Sequence, residues 1–286
     1  MDAASLFNVK GKVVLVTGGK ITQKPYTTQP RLTQPNTGAK GIGRMIAEGF
    51  VTNGAKVYLT GRDPKALDQA VAELTPIATR AGAPVPVAIP ANLQELKACE
   101  DLVARITSLE PRGLHVLVNN AGAAWGASID EYPDAAWTKV LTLNLQRAFT
   151  LSQLCLPLLT AAGTHGDPAR IIHIGSIDGL RVPIINNYAY SASKAGLHHL
   201  SSHLARDLGP RHITSNVLAC GPFATKMMKA TLDSMGEYIR SEMPLGRTGE
   251  PEDVAGASLF LASKAGAFVN GALIRVDGGA SLVSKI

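Results

Sequence analysis

Short apolar runs alternate with helical patterns along most of the chain, and no other feature constrains the fold as strongly. Lys12–Gly18 (KVVLVTG), Ala55–Gly61, Val85–Ala91, His115–Gly122, Arg170–Ser176, Ile213–Ala219 and Gly271–Gly279 read as strands. Most are continuously apolar rather than alternating, as strands covered on both faces are. Between them, Gly41–Gly54, Pro64–Arg80, about Leu96–Leu109, Trp137–Leu159 and Tyr190–Leu208 carry helical periodicity. Strand and helix in regular alternation imply right-handed crossovers and a parallel sheet. The expectation is an α/β protein: a single Rossmann-type, doubly wound parallel sheet of about seven strands with helices on both faces. No linker or composition shift divides residues 1–286 after Gly41, so one domain is expected. Residues 222–244, Met-rich and poorly periodic, follow the sixth strand, where a mobile flap over a site would lie.

In such a sheet, ligands bind beyond the carboxyl ends of the strands, where strand order reverses. Gly18 and Gly19 end the first strand, and Lys40-Gly41-Ile42-Gly43 opens the following helix. Glycines there let backbone approach a pyrophosphate, and the helix start supplies unpaired N–H groups. Between the two halves sits Lys20–Gly38, rich in Thr, Gln and Pro. Such a segment is expected to be an exposed or disordered loop. Joining Gly19 to Ala39 restores an unbroken TGGAKGIG turn. Nineteen residues correspond to 57 nucleotides, so the reading frame is kept, and the flanking codons can spell a splice donor and acceptor. A retained intron is therefore the reading for 20–38, with a genuine insertion as the alternative.

Tyr190 and Lys194 are four residues apart, so they share a helix face. A lysine cation beside a tyrosine favours the phenolate and would lower its pKa, yielding an acid–base group usable near neutrality. The bland alternative is a solvated Tyr/Lys face. Ser176, at the end of the fifth strand, is placed to hydrogen-bond a carbonyl oxygen or, more simply, to cap the next turn.

Taken in order, TGG…AKGIG, Asn119–Gly122 (NNAG), Asn144, GSIDG at Ser176, YSASK and NVLACGPFAT at Asn216–Thr225 resemble the short-chain dehydrogenase/reductase family. Residues 244–263 and Val276–Gly279 extend the match, which covers about Lys10 to Gly279 apart from Lys20–Gly38. The stretches NNAGAAWGASIDEYP and GLRVPIINNYAYSASKAGLHHLS further resemble 3-oxoacyl reductases of the rhamnolipid type and their fungal relatives. The resemblance implies that Tyr190 is the general acid, Lys194 lowers its pKa and binds the nicotinamide ribose, and Ser176 holds the carbonyl. It implies that Asn144 anchors a water reaching Lys194. Thr225 would hold the nicotinamide carboxamide, with Gly221 nearby in the cofactor set. Asn119, Ala121 and Gly122 would line the adenosine side, with Asn92 and Leu93 near the adenine. Asn92 stands where the family often has an acid, and Cys220-Gly221 where it usually has Pro-Gly. Ser176 and Tyr190 are one residue further apart than is common.

Cofactor choice has a physical basis. An acid at the end of the second strand would bind ribose hydroxyls and repel a 2′-phosphate. The chain instead reads Thr60-Gly61-Arg62, and Lys40 adds a second cation, so NADPH/NADP+ is favoured over NAD. Asp63 could pair with Arg62 or cap the next helix.

The net charge of +6 falls to +3 without Lys20, Lys24 and Arg31, and there is no basic cluster interleaved with aromatics. Nucleic-acid partners are not indicated. No apolar run is long enough to span a membrane, and residues 1–12 lack a signal core, so a cytoplasmic enzyme without membrane partners is expected. Cys99, Cys155 and Cys220 match no metal spacing. Ser284-Lys285-Ile286 resembles the S-K-L peroxisomal address. The reading is an NADPH-dependent reductase of an apolar ketone, including 3-oxoacyl thioesters, in a homotetramer or dimer as the family resemblance implies. The alternatives are a tailoring reductase of fungal secondary metabolism and a dinucleotide-binding pseudo-enzyme inactivated by the insertion.

Overall fold

The computed structural model describes residues 2–18, 41–225 and 229–283. Gly19, the 20–38 segment, Lys40, residues 226–228 of the expected flap and Ser284-Lys285-Ile286 lie outside the described residues. Seven strands form one sheet: β1 Val13–Thr17, β2 Lys56–Gly61, β3 Val87–Pro90, β4 Val116–Asn119, β5 Ala169–Ser176, β6 Ile213–Cys220 and β7 Leu273–Val276. All neighbouring pairs are parallel, in the order β3-β2-β1-β4-β5-β6-β7. The order reverses between β1 and β4, which opens a crevice at their carboxyl ends.

The helices are α1 Ala3–Leu6, α2 Ile42–Thr52, α3 Pro64–Ala81, α4 Leu96–Leu109, α5 Asp134–Leu141, α6 Arg147–Leu154, α7 Leu156–Ala162, α8 Tyr188–Leu208, α9 Lys229–Ser241 and α10 Pro251–Ala262. Alternate residues of each strand face opposite layers. Val14 and Val16 pack with Phe50 of α2, Leu74 of α3 and Val254 of α10. Val13 and Leu15 face the other layer, with Ile106 of α4, Leu151 of α6 and Leu204 of α8. Local signals set the helix ends. Asp63 accepts from the Ala66 N–H at 3.2 Å with Pro64 in the first turn, so the capping reading of Asp63 holds.

The helical stretch Trp137–Leu159 divides as α5, a π-helical turn at Thr142–Gln146, α6 and, opened by Pro157, α7. Two elements differ from the sequence expectation. Helix α8 begins at Tyr188, a little earlier than expected. The poorly periodic 222–244 segment carries α9. Its partly covered side is Leu232, Gly236 and Ile239, continuing to buried Met243, and Ile239 and Met243 pack with Ile177 and Ala280.

Candidate active site

The carboxyl ends of β1 and β4 are stitched together by two side chains. Thr17 Oγ1 donates to the Val118 carbonyl at 3.2 Å and accepts the Asn120 and Ala121 N–H groups, both at 3.0 Å. Asn120 Nδ2 donates to the Thr17 and Gly18 carbonyls at 2.7 and 2.9 Å. Gly18 has φ of +81°, and a Cβ there would lie 2.7 Å from Ala121 Cα. A Cβ on Gly43 would lie 2.4 Å from Asn120 Nδ2 and 3.0 Å from the Gly18 carbonyl oxygen. The described halves of the turn are therefore in contact across the sequence gap. Gly41 caps α2 without a side-chain bond and has open space around it. Sequence reasoning missed Thr17 and Asn120; the paired asparagines were the available signal, but Asn119 was singled out.

Asn119 turns away from the crevice. Its Nδ2 contacts Ser152 Oγ at 3.1 Å, the Ala148 carbonyl at 3.3 Å and His173 Nδ1 at 3.4 Å, all in the core. Ala121 and Gly122 continue along the crevice beside Asn144. Asn144, buried in the π-helical turn, bonds Ala123 through both amide atoms (2.7 and 2.9 Å) and donates to Ser193 Oγ at 3.0 Å. It thereby links the turn after β4 to α8. A π-helical turn at this position had no sequence signal beyond a polar residue inside an apolar run.

Ser176, Tyr190 and Lys194 meet at the ends of β5 and α8. Ser176 Oγ lies near the Tyr190 hydroxyl and accepts the Asp178 N–H at 3.1 Å. The capping reading of Ser176 therefore holds. Lys194 is buried; its Nζ donates to the Ile174 carbonyl at 2.7 Å and lies 5.6 Å from the Tyr190 ring centroid. The expected lowering of the tyrosine pKa is not what this arrangement produces. Burial above all, then the Asp178 carboxylate, push Tyr190 up, with Ser176 opposing. Burial also lowers Lys194 to about 8. The phenol is thus held in its proton-bearing form.

His198 lies one further turn along the Tyr190–Lys194 face. Its Nε2 accepts the Ser176 N–H at 3.4 Å, and Gly175 and Gly179 leave room for its ring. Burial, and then Lys194, lower its pKa to about 4.

The outer cofactor positions are more loosely placed. Arg62 is exposed at the end of β2, and Asn92 follows β3 with its Nδ2 on Glu95 at 2.7 Å. Leu93 is buried between the strand ends and α4. Gly221 N–H bonds the Val276 carbonyl at 3.0 Å, and Thr225 is buried beyond the Phe223–Gly249 bridge. The glycine cradle at Gly18 and Gly43, the uncapped start of α2 and a crevice leading to Tyr190 fit an extended dinucleotide.

Exposed apolar side chains stand on the segments that follow the strand ends: Trp125 and Ile129 after β4, Leu180, Val182, Ile184 and Ile185 after β5, and Met235 on α9 after β6. The first two loops meet where Ala127 N–H bonds the Asn186 carbonyl at 3.2 Å, and Tyr132 packs edge-on to Tyr188 at 5.3 Å.

A family model described as enoyl-(acyl carrier protein) reductase matches residues 38–281. The chain is 36% identical over 275 residues to a rhamnolipid-biosynthesis 3-oxoacyl-acyl-carrier-protein reductase of Pseudomonas aeruginosa, covering 96% of this chain and 97% of that protein. It is 33% identical over 301 residues to the short-chain dehydrogenase/reductase PhomF of Diaporthe leptostromiformis, covering 97% and 94%. The solved RhlG/NADP active-site complex of Pseudomonas aeruginosa superposes with a TM-score of 0.82 at 36% identity, covering 97% of this chain and 99% of that one.

Proposed function

The chain belongs to the short-chain dehydrogenase/reductase family, and from that premise we propose that it reduces a ketone to a secondary alcohol with NADPH. The observation carrying this reading is the buried Ser176–Tyr190–Lys194 set at the carboxyl ends of the strands, beside a glycine cradle. The bound nicotinamide supplies hydride. Tyr190, kept protonated by burial, gives its proton to the carbonyl oxygen, which Ser176 also holds. Lys194, already turned toward the end of β5, binds the nicotinamide ribose. Asn144 joins Ala123 to Ser193 and holds the water through which Tyr190 and Lys194 recover a proton. Gly18, Gly41, Ile42 and Gly43 would hold the pyrophosphate, and Gly19 belongs to the same motif in sequence.

Arg62 at the end of β2, with glycine where an acid would select NAD, supports NADPH as the cofactor. Lys40 adds to that preference in sequence. The exposed apolar side chains on the segments after β4, β5 and β6 support an apolar ketone, and the 3-oxoacyl substrate named for the Pseudomonas relative supports a 3-oxoacyl thioester within that class. No helix among the described residues is long and apolar enough to cross a membrane.

The test is NADPH oxidation by the purified protein against a panel of apolar ketones and 3-oxoacyl thioesters, with NADH in parallel. Turnover with NADPH in preference to NADH, abolished by Tyr190→Phe, is the expected result. NADPH binding without turnover of any panel member would instead favour a pseudo-enzyme.

A further inference from the structure

The turn between β5 and α8 holds an ionisable group that the proposed mechanism does not use. Asp178 follows Ser176 by two residues, and its backbone N–H is bonded by Ser176 Oγ at 3.1 Å. Its Oδ2 accepts Asn187 Nδ2 at 2.9 Å. Asn187 sits at the N-terminal cap of α8, where its Oδ1 accepts Ser191 Oγ at 2.6 Å and its carbonyl accepts the Ser191 N–H at 3.0 Å. A continuous chain of bonds therefore runs from the Ser176 hydroxyl through Asp178 and Asn187 into the helical turn that carries Tyr190. It spans the exposed 180–186 loop, whose apolar side chains offer little to fix the spacing of the two catalytic groups.

We propose that Asp178 is a positioning residue for the Ser176–Tyr190 pair, tying the end of β5 to the start of α8 through Asn187 and setting the charge that the Tyr190 hydroxyl faces. This rests on the reading of Tyr190 as the acid–base group. The groups facing that hydroxyl are Ser176 and Asp178 from the end of β5 and its turn and Cys220 from β6, with Asp277 beyond it, while Lys194 of α8 lies over the Tyr190 ring. Asp178 in turn faces Asn187 and Arg181. Because Ser176 Oγ spends an acceptor site on the Asp178 N–H, its O–H stays directed toward Tyr190 or a carbonyl. A carboxylate near a phenol disfavours the phenolate. Asp178 therefore keeps Tyr190 in the proton-bearing form from which ketone reduction starts and depletes the phenolate that alcohol oxidation needs.

The experiment compares wild type, Asp178→Asn, Asp178→Glu, Asn187→Ala and Tyr190→Phe, each checked for folding by thermal unfolding and NADPH titration. The substrate is the best ketone of the functional panel, with its alcohol for the reverse direction. Asp178→Asn keeps an acceptor for Asn187 but removes the charge. Its alcohol-oxidation pH profile is expected to move toward lower pH by about one unit, which raises the oxidation rate at a fixed pH below the plateau several-fold. Asp178→Glu restores the wild-type profile. Asn187→Ala keeps the charge but cuts the tether, and is expected to lower kcat about tenfold at unchanged NADPH affinity. An unmoved pH profile in Asp178→Asn, or an undiminished kcat in Asn187→Ala, would overturn the proposal. If Tyr190→Phe retains full activity, the underlying acid–base reading fails instead, so the two failures are distinguishable.

Discussion

Two residue types carry the site, and each has a distinct cost of removal. The role proposed for Tyr190 rests on one oxygen. Tyr190→Phe keeps the buried ring and deletes only the hydroxyl, so kcat is expected to fall about 10³-fold, within the usual range for general acid–base catalysis, while NADPH affinity stays within about threefold. Steady-state kinetics with fluorescence titration of NADPH would check both halves. A fall in affinity equal to the fall in kcat would mean that the hydroxyl binds the cofactor rather than the reacting oxygen. Gly43 acts through absence. A helix-interior Gly→Ala change ordinarily stabilises by about 1 kcal/mol. Here the added Cβ would lie 2.4 Å from Asn120 Nδ2, the group that holds the Thr17 and Gly18 carbonyls. Gly43→Ala should therefore weaken NADPH binding about tenfold, with thermal stability reduced rather than raised. A more stable variant with unchanged NADPH affinity would sink this account. The neighbouring asparagines show what a sequence conceals at this scale. Asn119 and Asn120 are chemically identical, yet opposite faces of one strand end send the first into the core and the second to the turn.

At the scale of elements, strands were legible because residues covered on both faces must be apolar throughout, and β5 and β6 are buried along their full lengths. The Tyr190–Lys194 face of α8 was legible because helix periodicity alone places those groups together. Helix α9 was not: its covered positions run Leu232, Gly236 and Ile239, with Met243 just beyond its end, and a glycine in that row hides the stripe. The π-helical turn around Asn144 was hidden for another reason, since tertiary bonds to Ala123 and Ser193 surround that residue and no local propensity announces them. Register along α8 also sets an acid limit on the fold. His198 must be neutral to accept the Ser176 N–H, and its pKa lies near 4 in the folded protein against an ordinary 6.5. Between those values the unfolded chain binds a proton that the folded chain refuses, so stability is present above about pH 6.5 and is lost as pH falls through the window. Each such histidine contributes a slope of about 1.4 kcal/mol per pH unit. Urea unfolding of His198→Gln should show a pH slope shallower than wild type by about that amount between pH 4 and 6.5. Identical slopes in the two proteins would refute the linkage.

On the scale of the whole molecule, the question is how a nineteen-residue Thr/Gln/Pro segment coexists with a phosphate turn. The described flanks answer part of it: Gly18 and Gly43 are in contact through Asn120, so the fold brings both halves of the turn together. The family model's match begins at residue 38, the last residue of the segment. Closing a loop costs free energy that rises only slowly with its length, by about 0.6 kcal/mol per doubling. Deleting residues 20–38 should thus change global stability little, with thermal midpoints within a few degrees. Cofactor binding is a more local matter, because the segment leaves and re-enters the chain between Gly18 and Gly41, the positions proposed to face the pyrophosphate. The deletion variant, which reads TGGAKGIG, should bind NADPH about tenfold more tightly, or about 1.4 kcal/mol. Calorimetric titration of both proteins separates the possibilities: a tighter deletion variant supports an interrupted turn, and equal dissociation constants would show that 20–38 leaves the pyrophosphate site undisturbed. The transcript supplies the independent arm. We propose that 20–38 is a retained intron, for which mature message without the 57 nucleotides is the expected observation. Message that carries them would make the segment a true insertion, and the affinity difference would then measure its cost to the enzyme.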